Sequence, residues 1–129
     1  MPDNPEQRDG ETNKDGQRSL VEDRIALIQS SIESAGSIPG ATKADLLKMV
    51  DALKSELATL SETHGDAASS ITRFAEASAH ESARPQKNPQ LAETALSGLR
   101  ISIEGLEESH PLLVATVSRF ANALSNMGI

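Results

Sequence analysis

Few side chains in this sequence could do chemistry, and three histidines lead them: His64, His80 and His110. Glu107-x-x-His110 has the spacing with which one helix supplies two ligands to a di-metal carboxylate centre in a bundle. Such a centre needs two of these motifs and two further inward-facing carboxylates. The chain holds one, so a symmetric dimer would have to supply the other. Pro111 follows His110 directly, so the pair straddles a helix break, where that spacing does not place two side chains on one face. A corner residue with a capping role is the plainer reading. Glu76 and His80 stand four apart, the spacing of a metal half-site and equally of a surface pair that contributes about 0.2–0.5 kcal/mol. Ser30-Ser31, Ser69-Ser70 and Ser78 offer hydroxyls. None sits in the Gly-x-Ser-x-Gly elbow that activates a serine nucleophile. Gly36, Gly40 and Gly65 are isolated turn residues and form no phosphate loop.

Composition narrows the function classes further. The chain has 129 residues, which allows one domain and a tail. Its formal net charge of −7 argues against nucleic acid, which is bound by clustered Lys and Arg, and against an anionic membrane surface. There is no cysteine, which excludes disulfides, thiol chemistry and thiolate-ligated metals. Phe74 and Phe120 are the only aromatic residues besides the histidines, so platforms for stacking bases are missing. The polar, acidic start of the chain lacks the apolar segment of a signal peptide, and no run reaches membrane-spanning length. A cytoplasmic protein with no cofactor is the expectation.

The elements that would position these residues are legible from apolar spacing. Large apolar residues recur in four-three steps, the pattern of a helix that buries one coiled-coil-like stripe. Val21, Ile25, Ile28, Ile32 and Ala35 mark a first helix from about Ser19, where Ser19 and Glu22 form a capping box. Residues 1–18 read as a disordered acidic tail and residues 19–129 as the helical domain. Leu46, Val50, Leu53, Leu57 and Leu60 mark a second helix from about Lys43 to Leu60, capped by Thr42. A third, Ala67 to about Ser82 with Asp66 as its cap, has only Ile71 and Phe74 as large apolar residues, and its small face predicts a weakly held arm. Ala92, Leu96, Leu99, Ile103 and Leu106 mark a fourth, from Asn88 to about Glu107, interrupted by Gly98 and Gly105. Leu113, Val117, Phe120, Leu124 and Met127 mark the fifth, opened by Ser109 or His110 before Pro111 and closed by Gly128 with Ile129 against Leu124. Short connections make helices one and two, and four and five, antiparallel hairpins. The predicted fold is all-α: a four-helix bundle of two hairpins with a short extra helix between them.

The runs E-E-S-H-P-L-L (Glu107 to Leu113), L-S-N-M-G-I (Leu124 to Ile129) and A-H-E-S-A-R (Ala79 to Arg84), with the Leu-rich second helix, resemble a family of small bacterial helical proteins known only as a domain of unknown function. The likeness covers about Val21 to Ile129. Members often carry an aromatic residue before the Glu-x-Ser-His-Pro run, where this chain has Leu106. The resemblance implies a bacterial helical protein and brings no activity, cofactor or catalytic residue.

Apolar residues outside the stripes point to function. Leu47 and Met49 on the second helix, and Leu91, Ala95 and Ile101 on the fourth, widen the apolar faces. They serve either a thicker core or a seam with another helix. A thin aliphatic core also favours burial of further apolar area in a homodimer. The reading is a non-catalytic cytoplasmic interaction or regulatory module, a homodimer or a partner of another protein, acting through helix faces at Leu47, Met49, Leu91 and Ile101. The competing reading is a di-metal carboxylate bundle built on Glu107, His110, Glu76 and His80. A membrane-surface helix is disfavoured because the polar faces are acidic.

Overall fold

The computed structural model describes residues 5–127, with side chains for residues 20–127. Within it the chain is an all-α bundle of five helices: α1 (Pro5–Ser34), α2 (Gly40–Thr63), α3 (Gly65–Ala83), α4 (Pro89–Ser102) and α5 (Pro111–Ser125). Among the described residues no helix is long and apolar enough to cross a membrane. The predicted stripes form the core. Val21, Ile25, Ile28 and Ile32 of α1, the five α2 residues from Leu46 to Leu60, Leu96 and Leu99 of α4, and Leu113, Val117, Phe120 and Leu124 of α5 are all buried. Each fully buried Leu, Ile or Phe contributes about 1.5–3 kcal/mol, so these stripes account for the docking of the helices.

Helix ends depart from the sequence expectation where backbone geometry outweighs capping chemistry. Helix α1 starts at Pro5, well ahead of Ser19, because a helix nucleated by its packed part extends at one hydrogen bond per residue. The expected tail thus falls partly on helical backbone; residues 1–4, and the side chains of the capping box at Ser19, lie outside the described residues. Helix α2 opens directly after Pro39, whose carbonyl accepts from the Lys43 amide at 2.9 Å, so Thr42 lies inside the first turn. Helix α3 opens at His64, and Asp66 lies in its first turn, not at the cap. Helix α4 keeps the Asn88 cap, its side-chain oxygen accepting from the Leu91 amide at 3.2 Å. It ends at Ser102, short of Glu107, because Gly105 takes φ +88°, a left-handed conformation that glycine adopts without a Cβ penalty. His110, rather than Ser109, takes the α5 cap position. The closing turn at Gly128 and Ile129 lies outside the described residues.

Helix α3 is the hub of the bundle and not a loosely held arm. It packs against all four other helices, whereas α1 meets only α2 and α3. Ala68, Ile71, Thr72, Ala75, Ser78, Ala79 and Ser82 are all buried. All but Ile71 are small and let neighbouring backbones approach on several sides, so close packing replaces side-chain bulk. Thr72 satisfies its hydroxyl by donating to the Ala68 carbonyl at 2.6 Å. An Arg24–Glu76 ion pair at 2.7 Å, partly shielded, links α1 to α3.

The corners expose an internal repeat. His64 separates α2 from α3 with φ −135°, ψ 65°, and His110 precedes α5 with φ −138°, ψ 60°. Each donates its amide four residues back, to Leu60 at 2.7 Å and Leu106 at 2.8 Å. The sequences around them match at one constant offset: L-S-E-T-H-G with L-E-E-S-H-P, then I-T-R-F-A-E-A (Ile71 to Ala77) with V-S-R-F-A-N-A (Val117 to Ala123). The offset also aligns the stripe of α2 with that of α4, Leu46, Val50, Leu53, Leu57 and Leu60 on Ala92, Leu96, Leu99, Ile103 and Leu106. The bundle is thus two versions of one helix–corner–helix unit, α2–α3 and α4–α5. The α3–α4 contact mirrors the α5–α2 contact, and α1 is added on one side.

Candidate functional site

The residues proposed for a metal centre do not converge. Glu107 turns its carboxylate onto the Gly105 amide at 2.9 Å, where it braces the turn after α4. His110 lies half-buried with Nδ1 2.9 Å from Ser109 Oγ. Glu76 is engaged by Arg24. His80 is exposed at a recess of about 640 Å³ that it lines with Ser31, Ser34, Ala83 and Arg84. Among the described residues no group of three or more His, Asp or Glu side chains is arranged to hold a metal ion.

The four apolar candidates separate into two kinds. Leu47 and Met49 are half-buried and pack against the core. Met49 also lines a recess of about 550 Å³ with Ile38, Leu46, Ala123 and Met127, and Lys87 closes the same end by donating to the Met127 carbonyl at 2.9 Å. These two residues widen the core. Leu91 and Ile101 stand out from α4, 47% and 62% exposed, while Ala95 is buried. Phe74 of α3 is 40% exposed, and its ring lies directly over Gly98 of α4, where a Cβ would overlap it.

Around α4 the charges are one-sided. Its only charged residues are Glu93 and Arg100, seven apart and therefore on the same side. Arg100 reaches Asn122 of α5 at 3.3 Å, so that side faces α5. The other solvent side carries Gln90, Leu91, Thr94, Ser97 and Ile101 and no charge, and it runs on to the Phe74 ring. From Leu91 to Ile101 it extends about 15 Å at 1.5 Å per residue.

The repeat distinguishes what the fold needs from what it does not. Leu91, Ile101 and Leu112 are the exposed large aliphatics of the second unit, and the equivalent residues of the first are Asp45, Ser55 and Asp66. The same architecture is therefore built with polar residues at these places, and packing within the unit does not require apolar ones. The converse holds for the aromatic pair: Phe120 is fully buried and its counterpart Phe74 is not.

The repeat also accounts for a pairing that spacing along one helix does not indicate. The His64 and His110 rings meet edge to face, centroids 5.6 Å apart and planes at 84°. They are 46 positions apart, and the signal that could have joined them is the repeated Leu-x-Glu-Thr/Ser-His run. Comparison of the chain with protein-family models, with curated proteins and with solved structures finds no match.

Proposed function

We propose that this protein is a non-catalytic helical interaction module of the cytoplasm that pairs with a second copy of itself through the uncharged side of α4. One observation carries the reading: the exposed Leu91 and Ile101 on α4 occupy places where the sister unit has Asp45 and Ser55. Exposed apolar residues that the fold does not need, gathered on one uncharged face beside the Phe74 ring, support a contact surface there. Charge supports a second copy as the occupant. Two chains of net charge −7 repel one another, and they meet at least cost where neither presents a charge. Leu91, Ile101 and the flank of Phe74 would then lose their exposure in an isologous contact.

The test is light scattering behind size exclusion, on the native chain and on Ile101→Glu. The native chain is expected at twice the chain mass and Ile101→Glu at the mass of one chain, with unchanged helical circular dichroism. A native chain that elutes as a monomer at high micromolar concentration, or a variant that still dimerises, contradicts the proposal.

A further inference from the structure

The recess between the first turns of α2 and the end of α5 belongs neither to the packed core nor to the α4 face. Its volume of about 550 Å³ lies within the range of about 300–1,000 Å³ typical of small-molecule sites. Ile38 and Leu46, both buried, form its floor. Met49 and Met127, half-buried, form its walls, and methionine adapts its flexible side chain to an apolar guest. Two charged side chains line it, Asp45 and Lys87, both exposed and therefore at its rim. Lys87 is held there by its bond to the Met127 carbonyl at 2.9 Å. Among the described residues neither Lys87 nor Asp45 is in an ion pair. The repeat again shows what the fold does not need. Where this recess has Ile38, Met49 and Met127, the equivalent residues of the other unit are Arg84, Ala95 and Glu81. Arg84 and Glu81 close on each other as an ion pair at 2.7 Å. The same architecture thus joins two charges at one place and leaves an apolar hollow at the other, with one charge of each sign at its rim.

We propose that this recess binds a small apolar zwitterion, with the chemistry of a hydrophobic amino acid or dipeptide. The apolar part of the guest displaces water from Leu46, Met49 and Met127. Its carboxylate meets the Lys87 ammonium and its own ammonium meets the Asp45 carboxylate, each as a charge-assisted hydrogen bond. An uncharged guest leaves both rim charges unanswered, and a guest with a single charge meets one of them as a like charge. The recess shares no residue with the uncharged side of α4, so its test does not depend on dimerisation.

The experiment follows the Met49 and Met127 methyl signals of the full-length chain by carbon-edited NMR. The titrants are L-phenylalanine, L-leucyl-L-phenylalanine, phenethylamine, which lacks the carboxylate, and 3-phenylpropionate, which lacks the ammonium. Both methyl signals should shift saturably with a zwitterion, and the tighter of the two zwitterions distinguishes amino acid from dipeptide. Each singly charged analogue should bind about two- to fivefold more weakly than phenylalanine, the ratio that exposed ion pairs give. Lys87→Gln should abolish the advantage over phenethylamine, Asp45→Asn that over 3-phenylpropionate, and Arg84→Gln neither. No saturable shift of either methyl with either zwitterion, analogues that bind as tightly as phenylalanine, or an advantage that survives its rim substitution overturns the proposal.

Discussion

The contact of Phe74 with Gly98 can be measured as a coupling energy. Gly98 lies in the interior of α4, and a methyl group added there would overlap the Phe74 ring at Cδ1 and Cε1. Gly98→Ala has two opposing effects. Alanine stabilises a helix interior over glycine by about 0.8–1 kcal/mol. The ring must also swing outward and lose its burial. A fully buried Phe side chain is stabilised by about 1.5–3 kcal/mol, and Phe74 is 40% exposed, so the loss is about 1–2 kcal/mol. In the native background the two nearly cancel or leave a small net destabilisation. With Phe74→Ala in place the clash is gone, and Gly98→Ala should stabilise by about 1 kcal/mol. The double-mutant cycle should therefore return a coupling of about 1–2 kcal/mol, as contacting residues give. Urea unfolding of the four variants, each carrying Ile101→Glu to remove association, reads it as shifts in midpoint at constant slope. If Gly98→Ala stabilised both backgrounds equally, the packing of the ring on α4 described above would be refuted.

Other substitutions test the close packing of α3 and the turn after α4. The hydroxyls of Ser78 and Ser82 are buried without a hydrogen-bond partner, so Ser82→Ala should be neutral or stabilising by up to about 1 kcal/mol in urea unfolding. Ala79 is 1% exposed, and Ala79→Leu should destabilise by about 1–3 kcal/mol through overpacking, read as a lower thermal midpoint. Gly105→Ala forces a side chain into φ +88° and should cost about 1–2 kcal/mol by the same measurement.

How much of this was legible in the sequence depends on which force decides each feature. The apolar stripes specified the core because burial is set by spacing, and Val21 through Leu124 lie inside as their periodicity requires. Helix ends were less legible: Thr42 and Asp66 are good caps by chemistry, but Pro39 and His64 turn the chain first. Side-chain bulk understates how firmly helix α3 is held. Ala75 and Ala79 act through close approach, which depends on neighbours that sequence does not display. Of the surface candidates, Leu91 and Ile101 proved exposed while Leu47 and Met49 belong to the core flank, a division that one helix's pattern cannot make. The repeat was written in the sequence. It is obscured helix by helix because its partners differ in size, Ala68 against Val114 and Ser78 against Leu124, while its identities lie at the corners and in the Arg-Phe-Ala run.

Pairing of two copies on the uncharged side of α4 can be tested directly because the chain has no cysteine. A single spin label at Thr94→Cys on that side, or at Lys54→Cys on the exposed side of α2, reports the distance between copies by pulsed dipolar spectroscopy. Strong dipolar coupling at short distance is expected for the Thr94 label and a clearly longer distance for the Lys54 label. No intermolecular coupling at Thr94, or a shorter distance at Lys54 than at Thr94, would contradict it.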